Sequence, residues 1–514
     1  MTHLPLFPDT YAHTDPDRPA YVMASSGLTV TYGELVATSR AVAGLLHQRG
    51  LRHGDTVAVL MENNEYYFPV VWAFQRAGLR YVALSTRLSS DDVAYILRDA
   101  RVQTLITSPH HLETAHAAAE AAGVPHLFTT GADVDGAVAL TTAIGGVEPH
   151  PDEAEGADLL YSSGTTGRPK GVVADLPSAP LGSPPGFTTL FHERWGLDAD
   201  SVYLSPAPLY HAAPLRVGMS VHRYGGLVVV MESFDAQSAL DLIAEHRVTV
   251  AQMVPTMLLR MLKLPLERRR AADLSSLRCL VHAAAPMPQA AKRQLIDWVG
   301  PIVREFYSAT ENYLFTELDS DEWLAHPGSV GKPLVGAVHI LDGDGGPVAP
   351  GTVGEIWSAG GPSFAYLNDA AKTAQAHNDR GWATVGDLGY LDADGYLYLS
   401  ERRSDLILSG GVNIYPQEAE NLLLVHPDVA DAAVFGVDHD ELGQVVHGAV
   451  QLSPGVAADA ATQERLLRHL TDQLSGYKCP RALDFVSRLP RLPTGKLLRR
   501  ELMEQHRQVA DDRQ

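Results

Sequence analysis

Tyr161-Ser-Ser-Gly-Thr-Thr-Gly-Arg-Pro-Lys-Gly171 gathers hydroxyls, glycines and a lysine into one short segment. It directly follows Ala157-Asp-Leu-Leu160, an apolar lead that reads as the end of a strand. Residues without a Cβ bring backbone N–H groups close, the hydroxyls donate and the lysine supplies a cation, which together suit a polyphosphate. The segment is not a Walker loop, because Pro169 stands where that motif needs the glycine of its Gly-Lys pair. A plain Ser/Gly surface turn would share the composition, so the segments downstream decide the reading.

The chain has 514 residues, 45% hydrophobic and 20% charged, which fits a globular protein with ample core and roughly two to four domains or subdomains. Its cysteines, Cys279 and Cys479, are too far apart for a metal knuckle and too few for a disulfide framework. A reducing cytoplasm is the compartment this predicts. Met1-Thr-His-Leu-Pro-Leu-Phe-Pro8 shows no basic region followed by an apolar one, so no export signal is expected. No apolar run approaches the roughly eighteen residues of a membrane span, so no membrane insertion is expected. A formal charge of −21 argues against nucleic-acid affinity, but not against a nucleotide held in a local pocket.

The first part of the chain alternates β-branched runs with helical stretches. Thr56–Leu60 precedes an apolar helix around Tyr67 to Ala77, and Tyr81–Leu84 precedes a helix from Ser90, with Ser90 as its N-cap. Gln103–Thr107 leads to a helix over His111–Ala122, Leu227–Met231 to Phe234–His246, and Cys279–His282 to Pro288–Val299. Strand then helix, repeated, predicts parallel α/β layers. Leu176–Gly186 reads as a loop. From about Gly331, Val338–Leu341, Gly354–Trp357 and Tyr396–Leu399 are short strands between Asp/Gly turns, the pattern of a small barrel or meander. After Arg403 the texture becomes compact α+β, predicting a boundary there: a large N-terminal domain over 1–403 and a small C-terminal domain over 404–514.

Seven further segments carry chemistry. Pro208-Leu-Tyr-His-Ala-Ala-Pro214 presents His211, a residue type more often a satisfied surface or core group. His282-Ala-Ala-Ala-Pro-Met-Pro288 suits either tight packing or the close approach of a planar base. Tyr307-Ser-Ala-Thr-Glu311 offers an aromatic face, a hydroxyl on Thr310 and a hard oxygen ligand on Glu311. Asp387 of Trp382-Ala-Thr-Val-Gly-Asp-Leu388 could accept from both hydroxyls of a ribose or simply close a turn, and Glu401-Arg-Arg-Ser-Asp405 follows. Ser409-Gly-Gly-Val-Asn-Ile-Tyr-Pro416 and Leu492-Pro-Thr-Gly-Lys496 read alone as a turn and a solvated lysine.

Taken in this order, from Thr31-Tyr-Gly-Glu-Leu35 to Lys496, these segments resemble the acyl-adenylate-forming superfamily of acyl- and aryl-CoA synthetases, adenylation domains and luciferases. The resemblance implies an α/β enzyme: a large N-terminal domain of layered α/β subdomains plus a small barrel, and a small mobile α+β C-terminal domain. Ser162, Ser163, Gly164, Thr165, Thr166, Gly167 and Lys170 would close over the β- and γ-phosphates of ATP. His211 would line the carboxylate pocket. Ala284, Ala285 and Pro286 would wall the adenine, with Tyr307 offering its face. Thr310 would meet the α-phosphate, and Glu311 would hold Mg²⁺, with Thr165 as a second ligand. Asp387 and Arg402 would hold the ribose, with a hinge at Ser404. Gly410 and Gly411 would flank the pantetheine of coenzyme A, and Lys496 would bridge carboxylate and ATP. The superfamily usually has glycine at the position of Ser308, and that serine together with Tyr313 is expected to narrow the acyl pocket.

The implied reaction is attack of a carboxylate on the α-phosphorus, loss of pyrophosphate, and transfer of the acyl group to coenzyme A. An aromatic or medium-chain acid is the expected substrate. Alternatives keep adenylation but change the acceptor: a carrier-protein thiol acting in trans, or an amine, including ATP-dependent diazotase chemistry with nitrite and an aryl amine. A nucleotide-binding protein without catalysis is the reading from another class, and the presence of Glu311, Asp387, Arg402 and Lys496 opposes it. A monomer or homodimer is expected.

Overall fold

A computed structural model describes residues 6–162, 169–177, 179–400, 407–409, 412–439, 442–491 and 497–511. Two sheets, one parallel and one largely parallel, dominate the N-terminal portion. One has six strands in the order Val138–Ala139, His126–Thr129, Thr104–Thr107, Thr56–Leu60, Arg80–Ala83, Ala157–Asp158. The other has nine, with Pro19–Met23, Leu227–Val230, Val202–Ser205, Val250–Met253, Cys279–His282 and Val303–Ser308 as its parallel run and antiparallel strands at both edges.

Strand periodicity explains the layering. Val57 and Val59 point into the same core as Tyr203, Val228 and Val281, whereas Ala58 and Leu204 point to cores on the outer faces. Helices Tyr67–Arg76 and Ala212–Tyr224 fill the shared layer between the sheets. Every residue of Tyr67–Arg76 is buried, including Arg76, whose guanidinium is paired with Asp9 and Glu153, each at 2.6 Å. Helices Ala236–Glu245, Pro255–Leu262 and Gln289–Val299 cover the outer face of the nine-stranded sheet. Parallel strands buried on both faces give the continuous apolar runs seen in the sequence.

After Gly331, Ala337–Leu341, Gly354–Ala359, Leu388–Leu391 and Leu397–Ser400 form an antiparallel meander. It shares one apolar core with the three-stranded sheet of Leu160–Ser162, Lys170–Val173 and Ala365–Tyr366. Strands from Ile407 onward build a separate five-stranded sheet. Helices Pro416–Val425 and Ala460–Thr471 pack on one face of it, and the helix Arg499–Asp511 packs on the other through Leu502. This sheet meets the larger portion where Lys263 Nζ donates to Val429 O and Arg87 donates to Arg491 O at 3.0 Å.

Two local expectations need correction. The helix Ser90–Asp99 is capped by Ser89, whose Oγ accepts from Asp92 N at 3.2 Å; the second serine lies inside the helix. Gly186 is not loop but opens the helix Gly186–Trp195, because Pro185 sets an extended backbone from which a helix can start.

Candidate active site

Cys279–His282 and Val303–Ser308 run parallel, with His282 opposite Glu305, so their carboxyl ends reach the same edge of the sheet. That edge is where ligands bind in open α/β sheets. The chain leaving the first strand buries Ala283 and leaves Ala284 and Pro286 exposed, which makes an apolar shelf with no side chain beyond a methyl or a ring. Ala284 sits at φ +74°, a left-handed conformation that costs a residue with a Cβ about 1–2 kcal/mol. Beneath the shelf, buried Lys292 is paired with Glu305, and His282 Nε2 lies 3.6 Å from the same carboxylate.

Leaving the second strand, Tyr307 donates its hydroxyl to Asp387 Oδ2 at 2.7 Å. Asp387 ends a turn in which Gly386 N donates to Thr384 Oγ1 at 3.0 Å. An aromatic face and a carboxylate suited to a ribose are therefore joined across eighty residues of sequence. Burial comes first in raising the Tyr307 phenol, followed by the charges of Tyr313 and Asp387, so the hydroxyl stays a donor. Tyr313 does not face an acyl group: it is 0% exposed, in the core with Phe364 and Tyr366. Ser308 turns its hydroxyl back onto Leu314 O at 2.8 Å rather than outward.

Glu311 Oε1 accepts from the hydroxyl of Tyr366 at 2.7 Å. Lys170 opens the strand that pairs with Leu160–Ser162. Lys372, in the helix Ala370–Gln375, lies with Nζ 5.0 Å from the Tyr366 ring centroid. Its ammonium is pushed down to about 8, first by burial and then by the neighbouring Lys170, with Asp369 and Glu311 opposing. Two lysines facing each other beside a carboxylate suit a bridging polyphosphate with a divalent cation. Neither Tyr366 nor Lys372 was singled out by the sequence reading. The signal available was the spacing of Tyr366, Asp369 and Lys372 around a short capped helix, which alone is common.

His211 is the N-cap residue of Ala212–Tyr224, and its Nε2 is buried without a hydrogen-bond partner among the described residues. Burial, with the charge of Arg87, pushes its imidazole down to about 4, so it is neutral at physiological pH. Asn63 fixes the approach to it: Leu209 N donates to Asn63 Oδ1 at 2.7 Å, and Asn63 Nδ2 donates to Ala207 O at 3.1 Å. Thr310 is half-buried on the loop between Tyr307 and Glu311, and Ala285 is half-buried on the shelf. Ser163, Gly164, Thr165, Thr166, Gly167, Arg402, Ser404, Gly410, Gly411 and Lys496 lie outside the described residues, as does the side chain of Ser162.

A sequence model of the family described as AMP-binding enzyme matches residues 9–365, and one described as AMP-binding enzyme C-terminal domain matches residues 418–496. A 2-succinylbenzoate–CoA ligase of Bacillus licheniformis is 34% identical over 497 residues, covering 96% of this chain and 98% of that protein. The structure of o-succinylbenzoate CoA synthetase (MenE) from Bacillus subtilis, in complex with the acyl-adenylate intermediate OSB-AMP, superposes with a TM-score of 0.80 at 30% identity, covering 98% of each chain. ATP-bound MatB from Rhodopseudomonas palustris gives a TM-score of 0.81 at 28% identity, covering 98% of this chain and 99% of that one.

Proposed function

The chain belongs to the AMP-binding enzyme family, and on that premise we propose that its acid is aromatic, of the 2-succinylbenzoate type. It is an AMP-forming acid–thiol ligase that uses ATP and coenzyme A. The observation that carries the site assignment is the Tyr307–Asp387 hydrogen bond of 2.7 Å, which joins an adenine face and a ribose acceptor beside the Ala284–Pro286 shelf. Support for the acid comes from relatives of more than 30% identity over nearly the whole chain, named as 2-succinylbenzoate–CoA ligases.

Each residue then has a task. The Ala284–Pro286 shelf and Tyr307 sandwich the adenine, and Asp387, with Arg402, holds the ribose. Ser162 to Gly167 with Lys170 wrap the β- and γ-phosphates, and Lys372 adds a second cation. The residues fit Mg²⁺, since Tyr366 fixes Glu311 Oε1 while Oε2 has no hydrogen-bond partner among the described residues. Bound there with Glu311 and Thr165, the ion would offset phosphate charge. Neutral His211 borders the acid without competing for its charge, and Thr310 meets the α-phosphate. Lys496 stabilises charge while the carboxylate oxygen bonds to the α-phosphorus and pyrophosphate leaves. In the second half, the thiol sulfur of coenzyme A passes Gly410 and Gly411, bonds to the acyl carbon and releases AMP. The organisation we assign is a domain over 1–403 and a mobile one over 404–514, in a reducing cytoplasm that suits the two free, buried cysteines.

Pyrophosphate release with a panel of acids, with and without coenzyme A, tests this. Aromatic acids, 2-succinylbenzoate among them, should support turnover and yield a thioester with the highest kcat/KM. Highest kcat/KM for long fatty acids would overturn the substrate reading, and turnover only with nitrite plus an aryl amine would replace it with diazotase chemistry.

A further inference from the structure

We propose that His447, Asp484 and His506 form a binding site for a borderline divalent cation such as Zn²⁺, remote from the nucleotide site. The three come from different elements of the five-stranded sheet. His447 lies on the strand Gly443–Leu452 and Asp484 on Leu483–Phe485, which pair in parallel with Ala449 opposite Asp484. His506 lies on the helix Arg499–Asp511. Strand alternation puts His447 on the face of buried Ala449, and Asp484 on the face of Val486; both belong to the core that receives Leu502. His506 follows Leu502 by one helical turn, so it projects from the same side of the helix onto that face.

Their donor atoms converge. His447 Nε2 lies 2.9 Å and His506 Nδ1 2.8 Å from a single oxygen, Asp484 Oδ2, and all three lie within 4.8 Å of one another. Phe435 packs against both imidazoles, at 5.5 and 5.6 Å between ring centroids, and holds their orientation. Metal–ligand bonds of about 2.0–2.2 Å need donors about 3.4 Å apart, so each ring would retreat by only about half an ångström. Side-chain exposures of 13%, 29% and 18% leave one side open to water for a fourth position. Two imidazoles and one carboxylate select Zn²⁺, Co²⁺ or Ni²⁺ over Mg²⁺. A second cluster, His326–Asp392–Asp394, does not qualify: Asp392 Oδ1 already accepts from the backbone of Asp394 and Tyr396. An ion at Asp484 would fasten the C-terminal helix to two strands, and that helix starts three residues after Lys496.

Titration of the full-length chain with Co²⁺, without nucleotide or Mg²⁺, tests the site. One equivalent should give a visible d–d absorption that Zn²⁺ displaces. With Zn²⁺ at ten times its dissociation constant, amide exchange across 499–511 should slow about tenfold, since only the helix-docked state binds. His447→Gln and His506→Gln should each lose both signals while keeping turnover. No absorption in the wild type, or absorption retained in either variant, would overturn the proposal and leave a hydrogen-bonded His–Asp–His clamp.

Discussion

Tyr366 holds Glu311: the phenol donates to Oε1 at 2.7 Å, and Oε2 has no hydrogen-bond partner among the described residues. A carboxylate held by a charge-assisted hydrogen bond presents its free oxygen in one direction, which a hard cation requires. Such a bond contributes about 1.5–3 kcal/mol. Tyr366→Phe should therefore lower kcat/KM for adenylation roughly ten- to a hundredfold and raise the Mg²⁺ concentration needed for half-maximal rate. Unchanged Mg²⁺ dependence in pyrophosphate-release kinetics would rule the role out.

Lys372 and Lys170 repel one another in the free protein, and an anion between them would relieve that repulsion. The free Lys372 ammonium titrates near 8, below its ordinary 10.5. A bound polyphosphate favours the charged form, so ATP binding should draw in a proton above pH 8. KM for ATP should accordingly rise as the pH climbs from 8 towards 10. Lys372→Met should raise KM for ATP about tenfold at pH 7 and remove that alkaline limb. A variant that keeps the limb would assign it to another group.

Ala284 carries backbone strain that glycine would not. Replacing it relieves about 1–2 kcal/mol of left-handed strain, against about 0.4–1 kcal/mol from the greater freedom of glycine in the unfolded chain. Ala284→Gly should raise the urea midpoint slightly, whereas Ala285→Gly, at a position without positive φ, should lower it. A loss in both would show that the turn is not strained.

How far the sequence carried varied with the range of the interaction. Cys279–His282 was read with its true limits because an apolar run between turns needs no partner to define it. Ser89 and Ser90 could not be separated, since the choice of cap rests on which hydroxyl meets Asp92 N. Tyr307 and Asp387 were each singled out by motif, but not as a bonded pair. Tyr366 and Lys372 escaped notice for the same reason: their meaning lies in Glu311 and Lys170, 55 and 202 positions away. Tyr313 was misjudged because nearness to Glu311 in sequence says nothing about which face of the loop it occupies.

His211 gives the last test, through pH. Its folded imidazole takes a proton only near pH 4, whereas an unfolded chain takes one near 6.5. Between those values the unfolded state binds more protons, so stability rises with pH across the window. The contribution from this residue is complete above 6.5 and is lost as the pH falls through 4. His211→Gln has no such term, so the urea-midpoint gap between wild type and variant should shift against the wild type on going from pH 7 to pH 5. The pH profile of adenylation should likewise show no inflection near 6.5 that His211→Gln abolishes. An NMR titration placing the His211 ring near 6.5 would sink this reading, because the residue we propose to border the acid would then change charge in the working range.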